Sequence, residues 1–337
     1  MRSARLLLLL GVGALLLGAP CGGAVGAPRQ VSVSAEAEAL ALLVAAAHAV
    51  QERGWSGTQY VSSWDGGAVS SAVLDVHHPA GRATEARATP TTADAPGRAA
   101  VLPTGAADEQ LLALLGGHYD LAVSGSSTCA GRPVHVVEAR RGDGQVAGRF
   151  WLDRASGLAL RREVYDGAGR LLRSSAYVDL DVTPRTVRVA RTAPAARLAA
   201  VEHAAPPFDG APLELPGGFT RFDERAPRDG LVTQLAYSDG LSTVSVFRQP
   251  GSLGTEHRDG YLPQRVGEGT VWVHAGAPEQ VVWSGGGAVY TAVSDAGPEA
   301  TLLAIGALPL DADPDDGVGA RLGRGLARVG SWVDPFG

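Results

Sequence analysis

The 337-residue chain has no lysine: all 29 of its basic side chains are arginine, set against 35 acidic ones for a formal charge of −6. With neither a basic surplus nor a contiguous basic patch, nucleic acid is excluded as a main partner. The missing lysine, beside heavy use of Ala, Gly and Arg, reads as the codon bias of a GC-rich genome. Cysteine is scarce too. Only Cys21 and Cys129 occur, and the first lies in a leader expected to be removed. No internal disulfide can then form, so packed cores must hold the fold. Nor is there an apolar run of membrane-spanning length: Leu6 to Leu17 gives about 12 residues where a spanning helix needs ~20.

Motifs for catalysis are also missing. Gly54-Trp55-Ser56-Gly57-Thr58 breaks the nucleophile elbow G-x-S-x-G at its last position. There is no Walker loop, no HExxH and no paired-cysteine metal spacing. His77-His78 lacks a third or fourth ligand at a recognisable spacing and reads as a strand end. Gly285-Gly286-Gly287 lies between two strand-like runs and opens no helix, so it reads as a hairpin turn rather than a phosphate cradle. Cys129 has no histidine that can be placed beside it and reads as an idle, buried thiol. No catalytic residue, metal or cofactor is therefore expected, and the chain does not read as an enzyme.

What is present begins with an export signal. Arg2 and Arg5 precede the apolar run and small residues follow it up to Ala27, the pattern of a secretory signal peptide over residues 1–27. Cys21 follows Leu17-Gly18-Ala19-Pro20, like a lipidation site shifted by one, but Pro20 departs from the small residue that processing wants. Ordinary cleavage is the expectation and a lipid anchor at Cys21 the alternative.

The mature length suits two domains. The first is expected over residues 33–191. Ser34 to Gly54 reads as a helix burying Leu40, Leu43, Ala47 and Val50, and Asp108 to Leu115 as a second, short one. Trp55 to Trp64 and Val69 to His77 read as strands, and Arg82 to Gly105 as irregular. A meander follows, with strands at 133–139, 148–152, 158–165 and 171–182 between short turns, so neighbours run antiparallel. One face of such a sheet is oily and the helices are its available cover. Residues 192–212, rich in Ala and Pro, read as a linker. A smaller β-rich domain spans 213–310 and closes with a short helix from Pro298, and 311–337 forms an amphipathic tail with Leu322, Leu326, Val329 and Val333 on one face. Such a tail suits docking on protein or, as the alternative, peripheral membrane association.

Within the second domain, LVTQLAYSDGLSTVSVF (231–247) reads as a hairpin. Taking Asp239-Gly240 as a two-residue type I′ loop sets Tyr237 opposite Ser242, Leu235 opposite Val244 and Thr233 opposite Val246. Leu231, Leu235, Tyr237, Val244 and Val246 then share an apolar face, while Phe247 points to the polar one. An exposed Phe247, with Leu241 and Ser238 near the turn, marks a candidate partner-binding surface, and Phe247→Ala is expected to weaken partner binding with little loss of stability.

Several stretches together resemble the MucB/RseB regulators of the extracytoplasmic-stress sigma factor: WSGTQYVSSW, then CAGRPVHVVEARRGDGQVAGRFWLDRASGLALRREVYDGAGRLLRSSAYVDLDV, then LPGGFTRFDERA with LVTQLAYSDGLSTVSVF. Arg82–Gly105 and the tail after Asp311 lie outside the likeness. The resemblance implies an N-terminal domain like the carriers LolA and LolB, an unclosed antiparallel β-barrel with a helical plug, joined to a smaller β-rich domain. It implies a non-catalytic, extracytoplasmic negative regulator that binds the outer segment of a membrane-spanning anti-sigma factor and protects it from proteolysis, released by a lipid-like signal. The alternative is a lipid or lipoprotein carrier of the cell envelope, with Trp55, Tyr60, Trp64 and Trp151 lining an apolar cavity.

Overall fold

The computed structural model describes residues 33–65, 68–81, 84–89, 109–183, 211–225, 232–254, 260–276 and 278–312. The leader, the linker up to 210 and the tail beyond Ala312 lie outside these residues. A helix, α1 (Val33–Glu52), leads into β1 (Gly54–Asp65), β2 (Ala68–His78) and β3 (Glu85–Thr89). After α2 (Glu109–His118) come β4 (Asp120–Cys129), β5 (Arg132–Arg140), β6 (Val146–Asp153), β7 (Ala159–Tyr165) and β8 (Leu171–Thr183). These form one antiparallel sheet in the order β3-β2-β1-β8-β7-β6-β5-β4. The two end strands do not pair with each other, so the barrel is unclosed.

Both helices cover this sheet. Ala39, Leu43, Ala46 and Ala47 of α1 and Leu112 and Leu115 of α2 bury against Val137, Ala139, Phe150 and Leu152. The expected helix face is rotated slightly: Leu40 is 36% exposed while Ala39 is fully buried. Small alanines on the inner side let the helix approach the strands closely, and the larger leucine is left at the boundary.

The second part contributes β9 (Glu214–Leu215), β10 (Phe219–Arg225), β11 (Thr233–Ser238), β12 (Thr243–Pro250), β13 (Leu262–Val266), β14 (Gly269–His274), β15 (Glu279–Gly285), β16 (Ala288–Ser294) and α3 (Pro298–Ile305). Its sheet runs β13-β14-β15-β16-β12-β11-β10-β9, also open. Leu235, Tyr237, Val244, Val246, Trp283 and Tyr290 line one face, packed with Ala304 and Ile305 of α3. The molecule is thus mostly β, two open antiparallel sheets with few helices. Among the described residues no helix is long and apolar enough to cross a membrane.

Two local expectations change, and one strand forms where no sequence signal announced it. Arg82–Gly105 is not wholly irregular, because Glu85–Thr89 adds an edge strand to β2. Leu262–Val266 forms a strand although it contains Pro263 and is largely exposed; an edge position tolerates both and leaves no apolar alternation to read. The β11–β12 register shifts by two residues, with Ser238 opposite Thr243, Tyr237 opposite Val244 and Leu235 opposite Val246. A two-residue shift preserves side-chain parity, so Leu235, Tyr237, Val244 and Val246 still share the apolar face; Leu231 lies outside the described residues. The true two-residue loop is Gly286-Gly287, where Gly285 pairs with Ala288 and both loop residues have positive φ, 57° and 76°.

Candidate functional site

The β11–β12 loop has four residues, Asp239 to Ser242, because the Asp239 carboxylate binds its own turn. Its Oδ1 accepts from Leu241 N at 2.8 Å and Ser242 N at 2.6 Å, while Ser238 Oγ accepts from Gly240 N at 3.0 Å and donates to the Ser242 carbonyl at 2.7 Å. Satisfied this way, Asp239 has no need of the positive φ that a type I′ turn demands. Gly240, at φ 90°, takes the left-handed position.

That loop reaches into the first sheet. Leu241 is buried with Leu115, Val137, Phe150 and Val164 in the first sheet's core. Tyr119 Oη donates to Asp239 Oδ2 at 2.6 Å, and burial, followed by the Asp239 charge, pushes the tyrosine hydroxyl far above its ordinary value. Arg162 Nη2 donates to the Leu241 carbonyl. Burial of its guanidinium, reinforced by neighbouring Arg173, pulls Arg162 down to about 10 against the opposing charges of Asp295 and Asp239. Arg173 is itself buried, paired with Asp295, and donates to the Leu241 carbonyl at 3.4 Å.

Beside the inserted loop lies a cleft of about 1150 Å³ with walls from both sheets. Its lining comprises the β7–β8 turn with Leu171 and Leu172, the segment Ala296–Ala300 with Leu303, Phe219, and Asp239, Leu241 and Ser242 of the inserted loop. Leu303 is 56% exposed, an unusual position for a leucine beside a concave surface. Arg141, Arg170 and Glu299 add charge around these apolar walls. Among the described residues no cluster of three or more His, Cys, Asp or Glu is placed to hold a metal.

Of the aromatic residues expected to line a lipid cavity, Trp55 and Trp151 fall in one buried core cluster, while Tyr60 and Trp64 lie outside it. Trp64 lines the cleft. Trp55 is buried, its Nε1 donating to Tyr177 Oη at 2.9 Å and its ring stacked 3.9 Å from His78. Tyr60 is 41% exposed. Trp151 is buried and lies opposite Val136 and Arg161, whose guanidinium sits 4.7 Å over its ring. Its neighbour Phe150 falls in the core cluster of Leu112 and Leu115, while Trp151, pointing to the other side of the strand, falls in the cluster of Trp55, Val136 and Ala49.

The expected partner-binding surface is also corrected. Phe247, Leu241 and Ser238 are all buried, at 5%, 3% and 2% exposure. Phe247 does lie on the face opposite Tyr237, beside Thr291. However, described residues after β12 bond onto that face: Leu253 N donates to Ser284 Oγ and Tyr261 Oη to Gln280 Oε1. Leu241 is taken by the first sheet's core, and Ser238 by its bonds within the turn. The cleft residues that replace them, Leu171, Leu172 and Leu303, carried no local motif. Only the pairing of two distant elements creates their surface.

Residues 83–201 match the model of the MucB/RseB N-terminal domain, a span that takes in the Arg82–Gly105 stretch expected to lie outside the likeness. No curated protein matches the chain. Among solved structures, the Pseudomonas aeruginosa MucA/MucB complex is similar at 22% identity over 82% of this chain and 100% of that one, with a TM-score of 0.44. A structure of MucB in complex with MucA(peri) is similar at 21% identity, covering 79% of this chain and 97% of that one, TM-score 0.42. A LolA superfamily protein from Nitrosomonas europaea matches at 12% identity over 43% of this chain and 94% of that one, TM-score 0.20.

Proposed function

Starting from a chain that is MucB/RseB-like, we propose that it works outside the cytoplasmic membrane, holding the extracytoplasmic segment of a membrane-spanning anti-sigma factor in the cleft between its sheets and shielding it from proteolysis. The family likeness supplies the class of partner. The observation that carries the location is the cleft itself: both sheets wall it, exposed Leu303 lines it together with Leu171 and Leu172, and charged side chains stand around them. A peptide with spaced apolar anchors and polar residues between them fits such a groove. A segment held there is out of a protease's reach, so binding alone gives negative regulation without catalysis.

Titration of the purified mature protein with that segment tests the reading. Wild type binds, and Leu303→Arg, which places a charge on an already exposed position, weakens binding about tenfold or more while leaving the melting temperature unchanged. Equal binding by the variant, or none by wild type, refutes it. The same apolar walls, with Trp64 among them, suit an acyl chain, and lipid carriage is the second reading. Native mass spectrometry separates the two. A lipid retained through purification and displaced by the segment supports release by a lipid-like signal, whereas a lipid retained without any effect of the segment favours carriage. The same spectra give the mature mass, which distinguishes a cleaved leader ending near residue 27 from an anchor at Cys21.

A further inference from the structure

The Asp239–Ser242 loop belongs by chain to the second sheet and by packing to the first. Two glycines provide the space: a Cβ on Gly148 would come within 2.7 Å of Leu241 Cδ2, and a Cβ on Gly240 within 2.4 Å of Leu115 N. The seated loop also supplies the first sheet's arginines with acceptors, the Leu241 carbonyl for Arg162 and Arg173, and the following β16–α3 turn adds Asp295 for Arg173. Drawing the loop out would leave a hole among apolar side chains, take from Arg162 its carbonyl acceptor and leave Arg173 with Asp295 alone. A half-withdrawn loop bears both losses with no new contacts, which makes the arrangement two-state.

We propose that this loop is a latch that fixes the two sheets in one orientation, and that the seated latch and an occupant of the cleft stabilise each other. The coupling half rests on the cleft reading above; the latch half does not. Asp239, Leu241 and Ser242 form part of the cleft wall, so an occupant touches the latch directly. Because the other walls come from different sheets, unseating the loop also takes the cleft apart. Linkage then requires reciprocity: seating that strengthens binding is itself strengthened by binding.

Hydrogen exchange read by mass spectrometry on the mature protein tests both halves. In Leu241→Ala, amides of 238–243 and of 115–121 exchange about tenfold or more faster than in wild type, while β5–β7 and β15–β16 keep their protection. Tyr119→Phe, which removes only the hydroxyl that holds Asp239, gives a smaller change of the same pattern and serves where Leu241→Ala loses protection throughout. Wild-type exchange at the loop in both variants overturns the latch, whether or not any partner binds. Saturating wild type with the anti-sigma segment slows exchange at 238–243, and Leu241→Ala binds that segment about fivefold or more weakly. Binding with unchanged loop exchange overturns the coupling. Failure of wild type to bind the segment at all overturns the cleft reading instead.

Discussion

Asp153 ties a strand end to the turn that follows it with a single carboxylate oxygen. Its Oδ2 accepts from Arg132 Nη2 at 2.8 Å, Ser156 N at 2.9 Å and Ser156 Oγ at 2.5 Å, in a fully buried side chain. Burial opposes its ionisation, but the bonds from Arg132 and Ser156 outweigh it and hold the carboxyl below its ordinary value. The unfolded chain therefore binds this proton first as pH falls. The stability Asp153 gives is complete above about 4, the ordinary carboxylate value, and is lost as pH drops toward its lower folded value. Asp153→Ala lowers stability by about 2–3 kcal/mol at pH 7 and flattens that acid limb in urea titrations. His78 adds a slope of the same sign at higher pH. Burial holds its imidazole below the ordinary value, so stability falls as pH drops below about 6.5, where the unfolded histidine takes up its proton. Ala130 is the one described non-glycine residue at positive φ, 49°, in the tight turn joining Cys129 to Arg132. Asn tolerates that conformation better, and Ala130→Asn raises stability by about 0.5–1 kcal/mol in thermal melts. For Phe247 the burial reverses the earlier expectation: Phe247→Ala costs about 3 kcal/mol of stability, with any loss of binding following from that.

Among the elements, β15–β16 and the segment behind it show how close backbone contact restricts a residue. A Cβ on Gly285 would lie 2.0 Å from the Pro309 carbonyl, whose oxygen also accepts from Trp283 Nε1 at 2.9 Å. Gly285→Ala must push away backbone that also bonds Asp311 N to the Ser284 carbonyl. A loss of about 1–3 kcal/mol is expected, seen as a lower urea midpoint with the slope unchanged. This glycine was readable from sequence as part of a turn but not as a contact, because its partner lies in the chain beyond α3. The same division runs through the molecule. Strands β5 to β8 were legible because each alternates and ends in a short Gly- or Asp-bearing turn, so register follows locally. The β11–β12 hairpin was legible as a hairpin, but its loop length was decided by where the Asp239 carboxylate finds donors. Strand β3 has only its pairing with β2 to define it, and β13 little beyond β14. Leu241, in a turn and next to polar residues, carries no sequence signal of its burial because the pocket it fills belongs to another sheet.

At the scale of the whole molecule, two open sheets are joined through a buried loop and part around a cleft, and the proposed activity lies in that geometry rather than in any reactive side chain. The cleft site was illegible in sequence for the same reason that it is useful: its walls, near 171, 219, 241 and 303, are far apart along the chain and meet only when both sheets are formed. The most direct test is a protection footprint of the mature protein with and without the extracytoplasmic segment of the anti-sigma factor, read by hydrogen exchange across the whole chain. Occupancy of the cleft predicts slowed exchange concentrated at 165–172 and 296–303, the segments that line it from the first and second sheets. Protection confined to the exposed β13 edge, or absent from both cleft walls while the segment is bound, would contradict it.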